Sequence, residues 1–146
     1  MGIIGLKEYD SSLTIVKDWL TDLKTELYLS NDDDAYAVLR AVFHSLRNIF
    51  VLEQAIQFGS KLPLLLAGTY YENWNLENKP APVENEVDFY NLVLQQLVGR
   101  EDYNPIFMTK CVFKVITNKL EEGNIDQLKK YIPEHLHGLL PEETRV

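Results

Sequence analysis

Apolar residues recur along this chain at steps of three and four, and the recurrence is met twice. From Leu13, the positions Val16, Leu20, Leu23 and Leu27 fall on one side of an α-helix. Residues 84–98 repeat the pattern with Val87, Tyr90, Val93, Leu94 and Leu97. A second stripe follows the run SNDDDAY, with Tyr36, Leu39, Val42, Phe43, Leu46, Ile49 and Phe50 on one face. Asn and Asp before such a stripe accept the free N–H groups of a first helical turn, so the run predicts a helix start. The matching later stripe is Met108, Val112, Phe113, Val115, Ile116 and Leu120, with Pro105 where a missing N–H costs least. Nowhere does a sustained period of two appear, so no strand is expected.

Shorter elements follow each stripe. Residues 53–60 and 125–131 predict a third helix in each half, the second capped by Asn124. The Leu62-Pro63 and Ile132-Pro133 steps end it, because a residue before proline is pushed out of the α region. Each proline then opens a short fourth helix, residues 63–67 and 133–137. Gly68 and Gly138 are expected to end it in the left-handed conformation. Gly59 matches Lys129 and is expected to have no special backbone duty.

These pairings share one separation. An ungapped slide of 70 residues lays Val42-Phe43 on Val112-Phe113, Asn48 on Asn118, Gln57 on Gln127, Pro63 on Pro133, Leu66 on Leu136 and Gly68 on Gly138. The fold expected is therefore all-α: a compact helical bundle of two tandem repeats, each of three helices plus a short fourth, related by approximate two-fold symmetry. The half-repeats span about 10–70 and 84–141 of one domain, residues 1–146, with a connector over 71–83 and a polar tail over 142–146.

Composition narrows the function more than the fold. With 146 residues the chain can bury a core without a disulfide or metal. A net charge of −8 repels phosphate backbones and anionic lipid, so neither nucleic acid nor membrane is expected as a partner. The one cysteine, Cys111, cannot close an internal disulfide, which fits a cytoplasmic protein. The opening MGIIGLKEYD lacks a charged region before an apolar run and predicts no signal peptide.

The string Leu62-Pro63, Leu65, Gly68, Tyr70-Tyr71-Glu72 and Trp74 resembles the prokaryotic "domain of unknown function 2267" family. So do Arg40-Ala41-Val42, Leu46-Arg47, Glu53 and Ala55, and in the second half Ile132-Pro133-Glu134, Leu136 and Leu139. Lys61, Ala67 and Asn73 stand where that family's glutamine, arginine and glycine are expected. The resemblance implies an all-helical fold with two related halves in small bacterial cytoplasmic proteins, and no established activity.

No catalytic, cofactor or metal set emerges from the residues. His135 and His137 are two apart, which on a helix points them in different directions, and His44 stands alone. Asn31 to Asp34 read as a helix cap rather than a cation loop, since alternating ligands and a central glycine are missing. Cys111 matches Ala41 and reads as a packed thiol. Glu121 and Glu122 read as exposed charges. Lys110, Lys114, Lys119, Lys129 and Lys130 interleave with acids as a mixed surface.

The aromatic segment after Gly68 is left. Tyr71, Glu72, Trp74 and Lys79 are the candidate partner-binding residues of a non-catalytic module that binds another protein or itself. Trp74 is expected mainly to fold back over the helices as a staple, and the two roles can coexist. The alternative is a small-ligand-binding protein or enzyme with a pocket between the halves, lined by Tyr36, His44, Tyr70 and Trp74.

Overall fold

The computed structural model describes residues 6–75 and 80–144, and there the apolar periodicity becomes seven α-helices and two 3-10 turns, with no strand among the described residues. In order they are α1 Leu6–Leu27, α2 Asp32–Ile49, α3 Leu52–Gly59, α4 Leu64–Tyr71, α5 Glu86–Gln96, α6 Pro105–Lys119 and α7 Glu122–Tyr131. The 3-10 turns are Glu134–Leu139 and Glu142–Thr144. None of the described helices is long and apolar enough to cross a membrane.

The bundle is built around α2, which packs on α1, α4, α5 and α6. Residues 41–47 are buried without interruption, so this helix meets protein on every side. Trp19 of α1 stands edge-on to Phe43, and Phe89 of α5 meets Phe113 of α6, both with ring centroids 6.4 Å apart. These rings, with Leu23, Leu39, Val42, Leu46, Val112 and Ile116, make one continuous core. Helices α1 and α6 run antiparallel, since Asp22 pairs with Lys119 at 2.7 Å while Glu26 pairs with Lys114 at 3.1 Å. Such exposed pairs add little energy, and the apolar seam beneath them holds the helices together.

Helix starts follow the sequence closely. Asn31 accepts from the Asp33 and Asp34 N–H groups at 2.7 and 3.3 Å. Asn85 caps α5, and Asn104 caps α6 ahead of Pro105. Two expectations need correction. Asn124 lies inside α7, because the extended Glu121 is the cap position and its carbonyl takes the first bonds, from Asn124 and Ile125. Gly68 does not end α4, which runs on to Tyr71; the left-handed residue there is Asn73, at φ 56°. Gly138 likewise lies inside a 3-10 turn, and neither glycine has positive φ.

Several boundaries recur 70 residues apart. Helices α2 and α6 end at Ile49 and Lys119, and α3 and α7 begin at Leu52 and Glu122. Phe50 (φ −81°, ψ 150°) corresponds to Leu120 (−85°, 154°), and Pro63 (−54°, 149°) to Pro133 (−52°, 143°).

Candidate functional site

A helix buried all round must find partners for its polar groups, and α2 finds them on α4. The last carbonyls of any helix lack intrahelical donors. Here His44 Nε2 lies 2.8 Å from the Thr69 carbonyl, and Arg47 Nη1 donates to the carbonyls of Tyr70 and Glu72 at 2.8 and 2.6 Å. Because a carbonyl only accepts, Nε2 carries the imidazole proton. A guanidinium at a helix C-terminus also suits the helix dipole. With its carbonyls satisfied this way, α4 needs no glycine cap and continues past Gly68.

Arg40, one turn earlier, donates from Nε and Nη2 to Glu72 Oε1 at 3.1 and 2.7 Å. That guanidinium holds the Glu72 carboxyl below the usual carboxylate range. One turn earlier again, the Tyr36 hydroxyl lies 3.2 Å from Thr69 Oγ1. Tyr36, Arg40, His44 and Arg47 thus form one polar row on α2, turned to the end of α4. Burial pushes His44 below its ordinary range, and the neighbouring Arg47 and Arg40 cations add to this.

Two tyrosine hydroxyls fasten α4 to α3. Tyr70 donates to the Ala55 carbonyl at 2.7 Å, and Tyr71 to that of Ile56 at 2.9 Å. A Cβ on Gly59 would overlap the Tyr71 hydroxyl and come within 2.9 Å of the Tyr70 ring. Gly59 therefore has a packing duty that the match to Lys129 concealed. Rings step outward from the core, from Phe43 to Tyr70 (6.0 Å), Tyr71 (5.0 Å) and Trp74 (5.8 Å). The last pair is stacked, and both of its rings are half-buried.

The partner candidates therefore have different surroundings. Tyr71 and Trp74 are pinned yet partly open, Glu72 is exposed and engaged by Arg40, and Lys79 lies outside the described residues. Of the four expected pocket residues, Tyr36 and Trp74 are partly buried against the core. Tyr70 and His44 are buried, and all four belong to the packed region around α2 and α4. The row Arg40, His44, Arg47 is what sequence reading missed as a unit. Its four- and three-residue spacing was the available signal.

Elsewhere, polar candidates have structural partners. Asp32 pairs with Lys24 at 2.7 Å, and Asp34 with Arg100 at 2.8 Å. His137 Nε2 lies 2.9 Å from the carbonyls of both Lys129 and Ile132 at the end of α7, while His135 meets the Val83 carbonyl. Burial pushes the Cys111 thiol up to about 11, so it is protonated near neutrality. Among the described residues no group of three or more His, Cys, Asp or Glu could hold a metal ion.

The sequence pattern of a family described as "uncharacterized conserved protein (DUF2267)" matches residues 16–139. No curated protein matches the chain.

Proposed function

The chain belongs to the DUF2267 family, and from its geometry we propose a small non-catalytic helical module that binds a second copy of itself or another protein. One observation carries this reading. Leu52 and Ile56, four residues apart on α3, are 51% and 48% exposed, with Val51 beside them. The Tyr71 hydroxyl reaches the Ile56 carbonyl, so the Tyr71–Trp74 stack borders this strip. Tyr71, Glu72 and Trp74 then form its rim, and Lys79, outside the described residues, stays a partner candidate from the sequence alone. Large rings held in place by other contacts lose little freedom on binding, which suits interface anchors. Glu53 is the only charged residue of α3, so the strip itself does not repel a second copy despite the net charge of −8.

Sedimentation over a concentration series tests the proposal. Wild-type protein should associate with rising concentration, and Leu52→Lys with Ile56→Lys should be monomeric at unchanged helical circular dichroism. A wild type monomeric throughout removes self-association and leaves a different protein as partner. Unimpaired association of the double variant removes this face.

The architecture behind the module is read as one domain of two tandem copies, about 10–70 and 84–141, joined by the connector 71–83 and related by approximate two-fold symmetry. The coincident helix boundaries and matched backbone angles at a separation of 70 support this reading. A single buried thiol fits a reducing cytoplasm as the setting.

A further inference from the structure

A hollow of about 370 Å³ lies between α6 and the C-terminal turns, lined by Lys110, Lys114 and residues 139–143. Every lining position falls 70 residues after a member of the α2–α4 joint. Lys110 follows Arg40, Lys114 follows His44, and residues 139–143 follow residues 69–73. The same place in the scaffold is filled in one half and open in the other.

What differs between them indicates what fits. In the joint, opposite charges close on each other, Arg40 on Glu72 at 2.7 Å. At the hollow they do not. Lys114 turns to Glu26 at 3.1 Å, and among the described residues no ion pair joins Lys110 or Lys114 to Glu142 or Glu143. Two lysines and two glutamates thus line the hollow; Glu143 acts on the Lys114 charge from a distance, and among the described residues Lys110 and Glu142 have no ion pair. The rings are gone too, since Tyr70, Tyr71 and Trp74 correspond to Leu140, Pro141 and Thr144. Leu139, Leu140 and Pro141 contribute an apolar lining.

We propose that this hollow binds a small zwitterion with an aromatic body, a free aromatic amino acid. Its carboxylate faces Lys110, its ammonium faces Glu142 and Glu143, and its ring lies on Leu139, Leu140 and Pro141. The volume is at the lower end of ligand pockets, about 300–1,000 Å³, which suits a single small molecule. The choice of an aromatic body rests on the tandem-copy reading; the unclosed charges do not, and the α3 face plays no part.

Titration of the full chain with phenylalanine, followed by amide chemical shifts, tests the site. Shifts should centre on Lys110, Lys114 and residues 139–143. Phenylalaninamide lacks the carboxylate and N-acetylphenylalanine the ammonium, and each should bind about tenfold more weakly, the worth of one charge-assisted hydrogen bond. Lys110→Met, and Glu142→Gln with Glu143→Gln, should weaken phenylalanine similarly, and these exposed positions leave folding intact. Alanine should bind less well than phenylalanine. Equal binding of alanine overturns the aromatic body alone and with it the template drawn from the tandem copies. Absence of phenylalanine binding, shifts centred elsewhere, or binding of the two blocked analogues as tight as that of phenylalanine overturns the site. Association through α3 is read separately by sedimentation, so either proposal can fail without the other.

Discussion

The end of α4 and the turn 70 residues later follow Pro63 and Pro133 with nearly the same backbone angles, yet they finish differently. The first continues as α-helix to Tyr71, and the second tightens into the 3-10 turn Glu134–Leu139. The difference lies in the donors opposite. Across from α4 stand His44 and Arg47, which take three carbonyls at its end. Seventy residues after His44 and Arg47 stand Lys114, committed to Glu26, and Thr117, whose hydroxyl bonds the Lys114 carbonyl in its own helix. A short helix with its last carbonyls bound by a neighbour can extend and carry an aromatic segment with it. Without those donors the chain turns away, and a hollow is left.

The strongest way to break this contrast is to remove the clamp. Arg47→Ala should cost about 3 kcal/mol in a denaturant titration, since one buried and one part-buried hydrogen bond to a charged group are lost and their carbonyls stay behind. Thr117→Ala, at the corresponding position, should stay within about 0.5 kcal/mol. Equal losses at the two positions would show that the arginine is not what distinguishes the regions.

Two glycines of the first region should respond with opposite signs. Gly59→Ala drives a methyl into the Tyr71 hydroxyl and the Tyr70 ring, and overpacking of this kind costs about 1–3 kcal/mol. It should also change the fluorescence of Trp74 through its stack on Tyr71. Gly68→Ala meets nothing within 4 Å in helical backbone, so it should gain about 0.5–1 kcal/mol. A loss at Gly68 would restore the cap role that the sequence suggested.

Most of the helical plan was legible because it rests on local chemistry. Asn31 and Pro105 mark starts, Leu62-Pro63 and Ile132-Pro133 mark stops, and the apolar spacing picks the buried faces. The misreadings came from contacts between elements. Gly68 has the local signature of a cap, and only donors on α2 make one unnecessary. Gly59 looked idle because its constraint is a ring from α4. Of the candidate site, Tyr71 and Trp74 were legible as an unusual aromatic pair. Their anchoring was not, because it depends on which face of α2 meets α4.

Acid should loosen one region selectively. Burial, with two arginines adding to it, depresses His44 from 6.5 against the opposing hydrogen bond to the Thr69 carbonyl and a weaker pull from Glu72. The unfolded chain therefore takes up the proton first as pH falls. Stability tied to neutral His44 is whole above pH 6.5 and declines below it, before Glu72, already depressed from 4.5, begins to titrate. Denaturant titrations across this window should show the decline, with a slope of less than one proton, and His44→Gln should flatten it. Lys114, the corresponding residue, is held above 10.5 by Glu26 and stays charged throughout, so Lys114→Gln should leave the slope unchanged.

A further modest effect is expected beneath the hollow's own helix. Thr109 of α6 is fully buried, and its hydroxyl has no hydrogen-bond partner. The residue 70 positions earlier, Leu39, is also fully buried and carries no polar atom on its side chain. An unpaired buried hydroxyl costs about 1–3 kcal/mol, part of which its methyl group recovers by packing. Thr109→Val keeps the branched shape and removes the unmet hydroxyl, so it should raise stability by about 1 kcal/mol. A denaturation midpoint that rises at constant slope is the expected result. A midpoint that falls would mean that the hydroxyl finds a partner in solution, and the core around α6 would then be more polar than that around α2.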